Sequence, residues 1–145
     1  RGIHSRFFQL KNRTLCVIAE EIGLFSYEPN AAVLKWGAFR LVAQRFGLKK
    51  LHPNTDLYTS DILKDGFPGR IFEVATYGNF SKKSLNRMLE GVKQANLSVR
   101  NFPETVDSLR KRLKLKDGGN DYLFACTIFN NEKVLIKCKR CALQA

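Results

Sequence analysis

The sequence predicts an α+β layer structure made of two small units, and three observations lead there. The chain has 145 residues of which 44% are hydrophobic, enough for a real core but only for one ordinary domain or two very small ones. The stretch Lys64-Asp65-Gly66-Phe67-Pro68-Gly69 has loop composition and divides residues 1–66 from 67–145. After it, apolar spacing alternates between period 2 and period 3.6 in the order β-α-β-α-β-β, and helices that must cover so small a sheet give layers rather than a full doubly wound fold.

The elements follow in chain order. Phe7 to Leu10 and Thr14 to Ala19, separated by Lys11-Asn12-Arg13, read as a short strand pair. Pro29 biases Glu28 to extended backbone and opens a helix, expected over 30–46 with Leu34, Ala38, Leu41, Val42 and Phe46 as its core stripe and Gly47 just past its end. Leu48 to Leu51 and Leu57 to Ser60 read as two short strands around the turn His52-Pro53-Asn54. Arg70 to Tyr77 alternates as a strand. Ser81 then caps a helix expected to reach Ala95, with Leu85, Met88, Leu89 and Val92 on one face. Leu97 to Phe102 alternates again, and Pro103-Glu104 opens a third helix with Val106, Leu109 and Leu113 inward. Tyr122 to Phe129 and Lys133 to Lys139 form two strands joined at Asn130-Asn131, residues that tolerate the positive φ of a tight hairpin.

Composition narrows the function classes. Lys and Arg number 25 against 13 acidic residues, a net charge of +12, and such an excess concentrates polyanions, nucleic acid or anionic lipid, at the surface. The apolar runs Leu123 to Cys126 and Val134 to Ile136 fall far below the roughly 20 residues of a membrane-spanning helix, so no bilayer-crossing segment is expected. The chain opens on Arg1-Gly2-Ile3-His4 rather than Met, so a piece of a longer protein is expected. Cys16, Cys126, Cys138 and Cys141 are sparse and mostly sit in strand-like runs, pointing to reduced core thiols and a cytoplasmic setting.

Most of the positive excess falls after residue 63. Lys82, Lys83, Arg87 and Lys93 lie off the apolar stripe of the Ser81 helix, and Arg110, Lys111, Arg112 and Lys114 do the same on the next. Such faces are either solvated helix surfaces, helped in the second case by cations at a helix C-terminus, or phosphate-binding surfaces whose affinity falls steeply with salt. Arg100 could add a bidentate phosphate contact or pair with Glu104 or Asp107. Cys138-Lys139-Arg140-Cys141 has zinc-knuckle spacing, but zinc needs four ligands and the histidines are His4 and His52, so no metal site is expected. His52, before Pro53, reads as a hydrogen-bonded loop residue. Gly118-Gly119 lacks the spacing of a dinucleotide or S-adenosylmethionine loop, and neither a P-loop nor a nucleophile elbow occurs.

The words Tyr27-Glu28-Pro29-Asn30-Ala31-Ala32, Leu48-Lys49-Lys50-Leu51-His52-Pro53-Asn54-Thr55, Leu57-Tyr58-Thr59-Ser60, Val99-Arg100-Asn101-Phe102-Pro103 and Leu113-Lys114-Leu115-Lys116-Asp117-Gly118-Gly119 carry a resemblance. Over about residues 25–140 the sequence resembles the C-terminal part of bacterial class I S-adenosylmethionine-dependent methyltransferases of the Bacteroidetes type. There a ferredoxin-like segment precedes a THUMP-like domain. The resemblance implies that residues 1–66 hold the ferredoxin-like segment, with 1–24 either a linker or part of it, and that 67–145 are the THUMP-like β-α-β-α-β-β unit. It also implies a methyl-transferring domain upstream of Arg1, with S-adenosylmethionine bound there, no cofactor in this chain and no activity alone. THUMP domains present RNA to the catalytic domains of RNA-modifying enzymes, which makes RNA the expected partner. The family words mark Tyr27, Glu28, Asn30, Lys49, Lys50, His52, Tyr58, Arg100, Asn101, Asp117 and Gly118 as positions of interest, none of them catalytic.

RNA binding through Lys82, Lys83, Arg87, Arg100, Arg110, Lys111 and Lys114 is the leading expectation. The alternative is a structural module that docks on its own upstream methyltransferase domain or on a protein partner through the Tyr27-Glu28-Pro29-Asn30 region and Trp36. A free-standing enzyme ranks last, because no nucleophile and base pair can be assembled.

Overall fold

The computed structural model describes residues 7–9, 15–35 and 39–141. Two short strands, β1 (Phe7–Gln9) and β2 (Leu15–Val17), pair antiparallel, as their flanking apolar runs predict. Ile18 then bridges Lys50 in parallel, and Ala19 N donates to Lys50 O at 2.8 Å, so this segment runs along the edge of the main sheet.

That sheet has seven strands in the order β4-β5-β3-β6-β9-β8-β7: β3 (Phe25–Pro29), β4 (Lys49–His52), β5 (Thr55–Ser60), β6 (Gly69–Gly78), β7 (Asn96–Arg100), β8 (Asp121–Thr127) and β9 (Lys133–Arg140). Every pairing is antiparallel except β7 with β8, because α4 (Val106–Leu113) forms the crossover that parallel neighbours require. The order β6-α3-β7-α4-β8-β9 is the one the apolar periodicities predict, and the fold is a mixed α/β layer structure. One sheet nevertheless runs through both stretches of sequence, since β3 pairs directly with β6 across Glu28↔Arg70 and Pro29↔Gly69.

Alternation along β8 shows how the layers form. Leu123 and Ala125, with Leu135 of β9 and Leu97 of β7, face α3 (Lys82–Met88) and α4 and pack on Met88 and Leu109. Phe124 and Cys126 face the other way with Ile136, Val134 and Cys138, and meet Phe72, Leu51 and Leu57. This second face is concave: the sheet curls until Thr55 of β5 donates through Oγ1 to Thr127 O at 2.7 Å, and Asn101, just after β7, donates to Thr55 at 3.2 Å. Behind β3, β5 and β6, α2 (Phe39–Phe46) covers Tyr27, Tyr58 and Ile71 through Ala43, Val42 and Phe46.

Three helices differ from expectation. The segment 30–46 holds α1 (Ala31–Lys35) and α2; residues 36–38, including Trp36 and Ala38, lie outside the described residues, and Leu41 is 57% exposed rather than in the core. The Ser81 helix ends at Met88 instead of Ala95, because Lys137 donates to Met88 O, Gly91 takes φ +75° and Ala95 is drawn into extended backbone by its bond to Lys116 O. The third helix starts at Val106, since Thr105 accepts from Ser108 N and is the cap.

Candidate nucleic-acid interface

The cationic side chains predicted from sequence separate into two groups. Lys82, Lys83 and Arg87 are exposed on α3, and Lys111 and Lys114 are exposed on α4; among the described residues none of the five joins an ion pair. α3 has no acidic residue in its first turn. Lys82 and Lys83 therefore stand against the positive end of the peptide dipoles, an unfavourable placement by about 0.3–1 kcal/mol at an exposed helix end. α4 is the reverse case: Asp107 sits in its first turn and Arg110, Lys111 and Arg112 in its last, as helix stability alone would choose. Lys111, Lys114 and Lys116 rim a shallow groove of about 320 Å³ at its C-terminal end, beside Asp107, Arg110 and Leu115. Lys114 closes the helix in the left-handed conformation, φ 58°.

Arg110 and Arg100 belong to the second group, whose guanidinium groups also bond within the fold. Arg110 donates to Ala95 O at 3.1 Å and reaches Asp117 at 3.4 Å, tying α4 to the start of β7 and to the loop before β8. Arg100 pairs neither with Glu104 nor with Asp107; it donates to Glu28 through Nη2 and to Val99 O through Nη1. Glu104 binds Arg112 at 2.6 Å instead, which holds its carboxyl below the usual range.

Several of the positions marked by the family words line the seam where the sheet curls on itself. Glu28, buried on β3, accepts from Arg70 Nε at 2.6 Å and from Arg100. Its hydrogen bond raises the Arg70 pKa above the ordinary arginine value. The Arg70 guanidinium stacks over Phe72 and Tyr122, 5.3 and 5.6 Å from their ring centres. Farther along, His52 Nδ1 accepts from Asn54 N at 2.9 Å, so Nε2 carries the proton and donates to Asn131 Oδ1 at 2.8 Å. Asn101 reaches the same Nδ1 at 3.5 Å and Thr55 at 3.2 Å. Asn30 accepts from Val33 N and caps α1.

The remaining positions serve packing and turns. Tyr27 and Tyr58 are fully buried, and the Tyr27 hydroxyl meets Ser60 at 2.7 Å and accepts from Lys64 N. Lys50 is buried and donates to Pro53 O at 2.7 Å, with Asp56 at 3.5 Å, whereas Lys49 is exposed. Asp117 is exposed, and Gly118 takes φ +109° in a turn whose neighbour Gly119 packs on Gln94. Cys138 and Cys141 pack into different clusters and do not converge.

Sequence reasoning passed over Arg70 and Lys116. Arg70 becomes notable only through its cross-strand register with Glu28; Lys116 carried a usable signal, its proximity to Lys111 and Lys114. A larger cleft of about 710 Å³, bordered by Glu20, Glu21, Asp61, Lys49 and Lys64, carries mixed charge.

Residues 25–68 match a family described as a ferredoxin-like domain, and residues 69–140 one described as THUMP domain-like. The chain is similar to a solved structure titled "putative methyltransferase", from Porphyromonas gingivalis W83, at 42% identity and a TM-score of 0.79. The match covers 86% of this chain and 31% of that one. No curated protein matches the chain.

Proposed function

Because the chain joins a ferredoxin-like domain to a THUMP-like domain, we propose that it is the non-catalytic, RNA-binding part of a class I methyltransferase. In this reading it presents RNA to a methyl-transferring domain outside these 145 residues, where S-adenosylmethionine is bound. The observation that carries it is the set of uncompensated cations on α3 and α4: Lys82, Lys83, Arg87, Lys111 and Lys114. On α3 helix stability disfavours lysine at the first turn, so a solvated-surface role does not account for Lys82 and Lys83. Phosphate neutralisation, with release of condensed counterions, does. THUMP-like domains are generally RNA-binding, which selects RNA over anionic lipid. Among the described residues no helix is long and apolar enough to cross a membrane. A cytoplasmic location belongs to the same reading, since Cys126 and Cys138 are buried free thiols.

Fluorescence-anisotropy titration with transfer RNA, ribosomal RNA fragments and duplex DNA at several salt concentrations tests the proposal. RNA-selective binding with a steep salt slope is expected, weakened and flattened in the K83E/R87E/K111E variant. Weak binding indifferent to polymer, or an unchanged triple variant, overturns it.

A second reading, docking on the methyl-transferring domain, is favoured by the exposed side chains of Leu24 (59%) and Ile62 (71%), brought together where Leu24 N bonds the Asp61 carboxylate. It requires that the upstream domain, added in trans, raise the melting temperature of this chain.

A further inference from the structure

We propose that Arg70 and Arg100, held side by side by Glu28, form a clamp for one phosphate group of the bound RNA. The proposal rests on the RNA-binding reading and adds a site that the α3 and α4 surfaces do not include.

A single buried carboxylate serves two guanidinium groups, one on each oxygen, so the cluster keeps a net positive charge. A fold that needed only an ion pair to join β3 and β7 would be served by Glu28 and Arg100. The second arginine leaves a surplus cation, and that surplus is what an anion would neutralise.

Geometry places the surplus where a ligand can reach it. Both arginine side chains are about one-third exposed, 37% for Arg70 and 31% for Arg100. They line an open groove of about 500 Å³ together with Glu28, Asn30, Leu34 and Gly69. Gly69 lets the two strands close tightly beneath the groove: a Cβ there would sit 2.1 Å from Glu28 O.

The donors are also fixed before any ligand arrives. Arg70 lies over Phe72 and Tyr122 and spends Nε on Glu28, so its two Nη groups are the ones left to donate. Arg100 is held by Glu28 and by Val99 O. Planar forks already oriented lose little side-chain freedom on binding, and they match the paired oxygens of a phosphate as a lysine point charge does not.

The test uses the whole chain. In NMR spectra that resolve arginine Nε–H groups, inorganic phosphate should shift the Arg70 and Arg100 signals saturably, while sodium chloride at equal ionic strength should not. R70Q should weaken RNA binding about 5–10-fold and lower the salt slope by about one, with R70K recovering only part of the loss. Comparing one RNA with a 5′-phosphate and with a 5′-hydroxyl identifies the phosphate: a penalty for R70Q only with the former assigns a terminal group, a penalty with both an internal one. If R70Q does not fold, the phosphate titration of the unaltered chain decides. Absence of a phosphate-specific shift at both arginines overturns the clamp and leaves the helix surfaces standing as the RNA site. A saturable shift in a chain that binds no RNA overturns the assignment of the phosphate to RNA, together with the proposed function.

Discussion

Glu28 on β3 and Arg100 on β7 stand 72 positions apart in the chain and share a charge-assisted hydrogen bond that ties the curled sheet to itself. Replacing Glu28 by Gln keeps the shape but leaves Arg70 and Arg100 facing each other without the carboxylate. Breaking a fully buried pair costs roughly 3–5 kcal/mol; with both arginines a third exposed, about 2 kcal/mol is expected for E28Q. Urea denaturation checks it, and a loss below about 0.5 kcal/mol, the usual range for surface changes, would show that the seam is held elsewhere.

Asn101 combines two demands that no other residue type meets equally. Its backbone is left-handed, φ 54°, its carbonyl accepts from Thr127 Oγ1, and its side-chain amide donates to Thr55. N101A should lose both the conformational tolerance and the side-chain bond, about 2 kcal/mol together. N101G relieves the backbone and loses only the bond, so its melting temperature should fall between those of N101A and the unaltered chain. Equal losses would mean that the backbone conformation carries no strain.

Much of the architecture was legible because it rests on local pattern. β8 is buried on both faces and reads as the unbroken run Leu123 to Cys126, and Ser81 is the cap that its place before the apolar stripe predicts. What was not legible depends on partners distant in sequence. The end of α3 is set by Lys137 on β9. Likewise the Glu28, Arg70 and Arg100 cluster follows from cross-strand register and from the curl of the sheet, so local sequence leaves Arg100 between a phosphate contact and the near neighbours Glu104 and Asp107. The exposed lysines of α3 were legible from the helical spacing itself, which is why that surface needed no register to be found.

Cys126 and Cys138 have their thiol pKa values pushed up to about 12, chiefly by burial. At pH 8 only about one thiol in ten thousand is then a thiolate, and the thiolate is the reactive form. Native-state alkylation followed by peptide mapping should label Cys141, which is half-buried, before either of them; Cys126 and Cys138 should react only on unfolding. Rapid labelling of Cys138 in the native chain would contradict its place in the concave core.

Glu104 gives the acid side of the stability profile. Its carboxyl is held below the usual value of 4.5, first by the hydrogen bond from Arg112, so the folded state binds protons less readily than the unfolded one. The stabilisation is therefore present above about pH 4.5 and is lost as pH falls through the lower folded-state value. Melting curves between pH 5 and 3 should show a steeper decline for the unaltered chain than for E104Q, and parallel curves would indicate that Arg112 does not hold Glu104 in solution.

The two helix surfaces differ in how firmly each is tied to RNA, and salt dependence separates them. Each phosphate neutralised contributes a slope of about 0.9 on duplex and about 0.7 on single strands. K82Q/K83Q on α3 and K111Q/K114Q on α4 each remove two exposed cations that join no ion pair among the described residues, so each should lower the slope by between one and two if its helix touches the RNA. α3 should show the full reduction, because its lysines stand where the helix itself disfavours them. At the α4 end, where helix stability already favours cations, a reduction must come from the groove formed with Lys116. If both pairs reduce the slope and the fourfold variant reduces it by their sum, a single RNA spans the two helices. If only the α3 pair does, the α4 cations stabilise the helix and the interface is confined to α3.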